Sequence, residues 1–379
     1  MPPVALNVTL YVQHLLGTGH LVRIQHLALA LHQMGHAVTL ISGGSAEVEQ
    51  DYRVIQLPIL RVRPGDFLTL LDIQGAAVDA CWKASRAEKL IDAVRQSRPD
   101  VVVVETWPFG RRQMEFEIIP MLESLSGLQR LPMIVCSIRD VLQIRRPQRR
   151  QETLENLKKY CSLVVVHGEQ KIISLAESFA EYDQISCPVV YSGYIGGPLG
   201  AAKGDAGIDE ILVSAGGGAA GVDLMRFAAQ ASAASPYCWR ILVGHNVEAK
   251  DFESLCNMQR PNLRVERNRK DFQRLLSNCA VSVSQFGYNT ALDIIRCGCR
   301  AVVIPYTENG ETEQYQRAKC FADKGLISLL DSAELTADAL HKAVVTALQR
   351  EPAGNPDVNL DGAATSARLI EQYYCKLNP

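Results

Sequence analysis

The stretch SQFGYNTALDIIRCGCRAVVIPYTENGETEQYQ, residues 284–316, decides how this chain is read. It compresses a strand end, a glycine turn, a helix, a second strand and an acidic, glutamine-bearing loop into one unit. Gly287 and Asn289 open the helix directly after a strand, so backbone N–H groups, Thr290 included, are left at a helix N-terminus. That arrangement is a seat for an anion. Asp293, one turn into the helix, can accept hydrogen bonds from both hydroxyls of a ribose; its plainer role is a first-turn acid favouring the helix dipole. Glu313 and Gln314 open the next helix, where they can hold a sugar ring or form a solvated face. Taken together, the stretch predicts a nucleotide-sugar site.

Outward from this unit, the pattern is strand, loop, helix, repeated. Continuous apolar runs at 6–12, 37–41, 101–104, 133–138, 163–166 and 189–191 read as strands buried on both faces of a parallel sheet. Residues 193–207 are rich in Gly and Ala without periodicity and read as a linker. The pattern then restarts with strands at 210–214, 240–243, 262–264, 280–284 and 301–305. The expected fold is α/β: two doubly wound Rossmann-like domains, residues 1–192 and 208–360, facing across a cleft. A final helix within 361–379 is expected to cross back onto the first domain.

At 379 residues the chain exceeds what one hydrophobic core usually supports. It is 47% hydrophobic and 21% charged with a formal net charge of -2, so the basic excess of a nucleic-acid binder is missing. The N-terminus shows no positively charged leader, no apolar run approaches a membrane span, and eleven cysteines without paired spacing read as reduced thiols. The expectation is a cytoplasmic protein with, at most, peripheral contact at the inner face of a membrane.

Four further segments fall at strand ends. GTGH (17–20) follows the first strand; Gly17 and Gly19 permit a tight turn and close ligand approach. His20, at the helix N-terminus, has its pKa lowered by the dipole and is kept in the neutral form that a general base needs. A capping or packing role is the plain reading, and His14 is a weaker candidate on the same loop. In SAGGGAAG (214–221), Gly216, Gly217 and Gly218 free backbone amides for phosphate oxygens. ETWPFGRRQ (105–113) offers Glu105 as a base and Arg111 and Arg112 for an anionic acceptor. SIRD (137–140) supplies Arg139 on the acceptor side and Asp140 as an alternative base. HGEQ (167–170) ends another strand, with His167 and Glu169 as cleft candidates. The basic run RRPQRR (145–150) is interrupted by Pro147 and reads as a loop, solvated or facing an acceptor phosphate or a membrane. No DxD argues for a metal.

These residues give the chain a resemblance. Through GTGHLVR, VVETWPFGRRQMEFEIIP, CSIRDVL, VVHGEQ, SGY and QFGYN followed by GETEQ, it resembles a GT-B glycosyltransferase of the group with a family 28-type C-terminal domain. A bacterial predicted glycosyltransferase sub-group is most similar; the transferase that adds N-acetylglucosamine to the peptidoglycan lipid precursor is related. The resemblance implies an inverting, metal-independent transfer from a nucleotide-diphosphate sugar, UDP-linked, to an acceptor hydroxyl, with no further cofactor. It places Gly17, Gly19 and His20 in the first glycine loop. The ribose carboxylate falls on Asp293, where glutamate is usual, and a Gln-Gln pair for the donor sugar falls on Glu313 and Gln314. It also implies an acceptor that is a glycan, a lipid-linked group or a small molecule. Two other classes share parts of the pattern. The UDP-sugar hydrolase of the pseudaminic acid pathway has a similar GxGHxxR loop, which Arg23 completes here, and a non-catalytic nucleotide-sugar-binding protein would need only the donor half.

Overall fold

A computed structural model describes residues 5–15, 19–45, 51–63, 66–128, 130–196, 204–215, 221–352 and 357–379. Gly17 and the phosphate-loop candidates Gly216, Gly217 and Gly218 lie outside these residues, as do 197–203 of the expected linker. The chain divides into two compact units. Unit 1 comprises 1–170, 179–196 and 359–379; unit 2 comprises 171–178 and 197–358.

In unit 1 the elements run β1 (Asn7–Val12), α1 (Gly19–Gln33), β2 (Ala37–Ser42), β3 (Arg53–Gln56), a hairpin of β4 (Arg61–Arg63) and β5 (Asp66–Leu71), and α2 (Ala80–Ser97). They continue through β6 (Val101–Glu105), α3 (Glu115–Ser124), β7 (Met133–Arg139), α4 (Pro147–Tyr160), β8 (Leu163–His167) and β9 (Val189–Tyr191). Seven strands form one parallel sheet in the order β3-β2-β1-β6-β7-β8-β9. β6 shows why: in its run of four valines, Val101 and Val103 enter one core while Val102 and Val104 enter the core on the opposite face. A strand with two apolar faces is stable only between two layers of helices.

Unit 2 holds β10 (Ile211–Ser214), α5 (Val222–Ala231), β11 (Trp239–Val243), α6 (Ala249–Cys256), β12 (Leu263–Arg267), α7 (Phe272–Asn278), β13 (Val281–Ser284), α8 (Tyr288–Cys297), β14 (Ala301–Val303), α9 (Glu313–Asp323), β15 (Ser328–Leu329) and α10 (Ala337–Leu348). Its six parallel strands are ordered β12-β11-β10-β13-β14-β15. The last helix, α11 (Gly362–Leu377), belongs to unit 1, where Ala367, Ile370 and Tyr374 pack in the same core as Ile24 and Leu27 of α1.

Each sheet reverses its direction of growth once, between β1 and β6 in unit 1 and between β10 and β13 in unit 2. Open α/β sheets leave a crevice at the carboxyl ends of the strands flanking such a reversal. The short β3, β15 and the β4–β5 hairpin are absent from the apolar pattern. The run 145–150 is corrected: Pro147 is the first residue of α4, because its fixed φ and missing N–H suit the first helical position. No helix among the described residues is long and apolar enough to cross a membrane.

Candidate active site

At the unit 1 reversal, the segments after β1 and β6 converge. His20 is the second residue of α1, and its Nδ1 lies 2.7 Å from Oε1 of Glu105, the last residue of β6. Arg23, one turn further along α1, donates from its guanidinium to the same Oε1 at 2.6 Å. Glu105 is buried, and so is Arg23. Burial pushes the Glu105 carboxyl up, but its contacts with His20 and Arg23 and the charge of Arg111 outweigh this and hold it well below the usual range. Arg23 Nη2 also lies 3.3 Å from Nδ1, but the carboxylate is closer and can only accept, so Nδ1 carries the proton and Nε2 keeps a lone pair.

The His20 pKa is lowered to about 4, chiefly by burial; Glu105 raises it, while the charges of Arg111 and Arg139 push it down. Burial, rather than the helix dipole invoked from the sequence, is thus its main cause. His20 is accordingly neutral at pH 7, with Nε2 able to take a proton.

The turn after β6 carries Arg111. Thr106 and Arg111 have φ values of 67 and 59°, in the left-handed region that favours glycine. Side-chain-bearing residues persist there where the surrounding structure over-determines them. Arg111 Nε is buried without a hydrogen-bond partner. His14 is buried with both ring nitrogens unpartnered, and Gly44 lies so close that a Cβ there would come within 2.0 Å of the ring.

The remaining unit 1 candidates sit differently. Asp140 is fully buried and its Oδ1 accepts from the Val141 amide at 2.9 Å. Arg112 is half exposed and paired with Glu152 at 2.9 Å. His167 is buried between Ser137 Oγ at 2.7 Å and Ser192 Oγ at 3.0 Å. Glu169 accepts from the Asn359 amide at 2.7 Å.

At the unit 2 reversal, Gly287 is the N-cap of α8 and no side chain caps the helix. First-turn amides, those of Asn289 and Thr290 among them, are left facing outward for an anion. Gly221, at φ 102°, caps α5; a Cβ there would meet Ala215 and the Gln285 side chain, so glycine is what lets the start of α5 lie against the ends of β10 and β13. A cavity of about 750 Å³ opens here, lined by Gly221, Gln285, Tyr306, Thr307 and Glu308. Asp293 is half-buried, its pKa raised by burial, and Gln273 Nε2 reaches its Oδ1 at 3.4 Å.

Gln314 and Glu313 have partners within the protein. Gln314 Oε1 accepts from the amides of Phe286 at 3.0 Å and Tyr306 at 3.1 Å. Glu313 pairs at 2.8 Å with Arg317, which is fully buried and donates to the Phe286 carbonyl at 3.2 Å. Both backbone groups of the residue before Gly287 are therefore gripped by α9. Sequence reasoning missed Arg317, although its spacing of four from Glu313 on one helix was a usable signal. It also missed a buried network under β1, in which Arg86 holds Glu117 at 2.6 Å and Gln13 at 2.6 Å while Tyr11 donates to Glu117. No group of three or more His, Cys, Asp or Glu residues among those described could hold a metal ion.

Residues 216–372 match the Glycosyltransferase family 28 C-terminal domain. No curated protein matches the chain in sequence. Among solved structures, the calicheamicin glycosyltransferase CalG4 is similar at TM-score 0.65 and 16% identity, covering 98% of this chain and 99% of its own. MurG of Acinetobacter baumannii is similar at TM-score 0.65 and 15% identity, with 96% and 99% covered. A UGT transferase from Siraitia grosvenorii, in complex with UDP, is similar at TM-score 0.64 and 13% identity, with 97% and 99% covered. At such identities the likeness carries the fold, which is that of GT-B glycosyltransferases.

Proposed function

We infer that this chain, a GT-B glycosyltransferase with a family 28-type C-terminal domain, moves a sugar with inversion from a nucleotide-diphosphate sugar to an acceptor hydroxyl and needs no metal. The observation that carries this reading is the His20–Glu105 contact at the unit 1 reversal, matched by an uncapped helix at the unit 2 reversal. The donor belongs to unit 2. Its diphosphate is assigned to the α8 N-terminus beside Gly287, Asn289 and Thr290, and to the loop bearing Gly216, Gly217 and Gly218. Asp293 is assigned to the ribose. Glu313 and Gln314 act at the sugar through the loop they hold as well as through any direct contact. The UDP bound by the Siraitia grosvenorii structure makes UDP the first donor nucleotide to try.

His20 Nε2 takes the acceptor proton as the acceptor oxygen bonds to the anomeric carbon from the face opposite the diphosphate. The bond from that carbon to the diphosphate oxygen breaks, and its electron pair leaves with the nucleotide. Amides at the α8 N-terminus offset the charge developing on the leaving group, the role a metal plays elsewhere. Glu105 orients His20 and stabilises the imidazolium, and Arg23 keeps Glu105 ionised. This account makes Glu105 a positioning residue in place of an alternative base. No metal or cofactor has a step in it.

The test is incubation with nucleotide-sugars, with and without an acceptor panel, measuring nucleotide diphosphate, free sugar and the anomeric configuration of the product. Acceptor-dependent release with inverted configuration supports transfer. Free sugar released at full rate without acceptor would replace transfer by hydrolysis, and donor binding with no release in any mixture would replace it by a binding role.

A further inference from the structure

We propose that the acceptor carries a phosphate or diphosphate group, seated in an arginine-lined cavity of unit 1 that begins at Arg111 and ends at the start of α4. The proposal rests on the glycosyl-transfer reading for the word acceptor, and on unit 1 alone for the anion site.

The cavity has a volume of about 450 Å³ and lies between the 108–113 turn and residues 144–156. Five arginines line it: Arg111, Arg112, Arg145, Arg146 and Arg149. Two carboxylates, Glu115 and Glu152, face them. Both are engaged, since Arg112 lies 2.9 Å and Arg149 3.1 Å from the same Glu152 oxygen, and Glu115 is 3.7 Å from Arg112. Three guanidinium groups, those of Arg111, Arg145 and Arg146, have no carboxylate within ion-pair distance among the described residues. A surplus of this kind on an open surface is ordinary solvated charge. Arg111 differs, because its Nε is buried and unpartnered, and the one carboxylate that offsets its charge, Glu105, is already shared with His20 and Arg23. The start of α4 adds the positive end of a 14-residue helix that no side chain caps. Guanidinium forks match phosphate oxygens two at a time, so phosphate is the anion that fits best.

Arg111 also ties this cavity to the reacting group. His20 feels four charges: Glu105 on β6, Arg23 on its own helix, Arg111 on the turn and Arg139 at the end of β7. The charges of Arg111 and Arg139 both depress the basicity of His20. A phosphate neutralising Arg111 lifts that depression. The acceptor thus strengthens the base that activates it.

The probe is inorganic pyrophosphate, titrated calorimetrically into the full chain with UDP saturating the donor side. R145E/R146E is compared with R61E/R63E, which makes the same charge change at exposed arginines of β4. Pyrophosphate binding weakened at least tenfold in the first and less than twofold in the second is expected. The His20 pKa, followed by NMR, is expected to rise when pyrophosphate is added. In transfer assays, pyrophosphate is expected to compete with the acceptor. Equal binding in both variants would overturn the site, and a His20 titration that pyrophosphate leaves in place would overturn its coupling to His20. Inhibition not competitive with the acceptor would reassign it to a free phosphate effector and overturn the acceptor claim. Loss of pyrophosphate binding in R145E/R146E, in a protein that transfers no sugar at all, would overturn the function and leave the anion site standing. R145Q/R146Q repeats the comparison if the charge reversals impair folding.

Discussion

His20 and Glu105 stand 85 positions apart, and the hydrogen bond between them gives each a role that neither has alone. The place of His20 was legible because the glycines of GTGH mark a turn between a strand and a helix. ETWPFGRRQ was legible because it ends a strand. Their contact was not, because it depends on β1 and β6 being neighbours in the sheet, which no local pattern encodes. The geometry predicts a specific signature for Glu105→Gln. The carboxylate raises the basicity of His20, so its loss makes His20 a weaker base. Turnover should fall on the order of 10²–10⁴-fold, the usual span of general-base catalysis. The acid limb of the pH–rate profile should move to lower pH, because a still lower pKa keeps His20 neutral further into acid. A pH–rate profile identical to that of the unaltered protein would remove Glu105 from the mechanism.

Among the elements, α9 has a larger part than its sequence announced. GETEQ was read as a sugar contact because its carboxylates and amide are apt for hydroxyls. The structure adds a second part: α9 clamps the turn before α8, with Gln314 on the Phe286 amide and Arg317 on the Phe286 carbonyl. Such a clamp needs β13, β14 and α9 to be assembled, so residue type alone could not reveal it. Arg317→Met should loosen the α8 N-terminus and weaken UDP binding about tenfold, close to the low end of the roughly 1.5–3 kcal/mol of a hydrogen bond to a charged group. Calorimetric titration checks this, and unchanged affinity would mean that α8 holds its position without the clamp. The Arg86–Glu117 pair under β1 is a second buried device, with both side chains fully enclosed. Glu117→Leu leaves Arg86 buried without its carboxylate, and should cost about 3–5 kcal/mol in urea denaturation. A much smaller loss would mean that Gln13 and the Pro58 carbonyl suffice for the guanidinium.

For the molecule as a whole, buried histidines contribute to the response to acid. His167 is held by Ser137 and Ser192, approached by Ser366 of α11 at 3.4 Å, and its pKa is lowered to about 3, mainly by burial. His20 lies at about 4. Unfolded, both take up a proton near 6.5. Between those values the unfolded chain binds more protons, so their contribution to stability is complete above pH 6.5 and drains as pH falls towards 3. Urea midpoints should therefore drop between pH 7.5 and pH 5, and His167→Gln should flatten that dependence; an equal slope in the variant would contradict it. The architecture itself was legible, because two series of apolar runs alternating with helices demand two parallel sheets. The short strands β3 and β15 were not, because their few residues take their conformation from neighbouring strands.

The central claim is that His20 removes the acceptor proton, and its most direct test is His20→Ala assayed for transfer turnover and, separately, for UDP affinity. The account predicts turnover reduced about 10²–10⁴-fold with UDP affinity unchanged, since it assigns base and donor to different units. Turnover equal to that of the unaltered protein would contradict it.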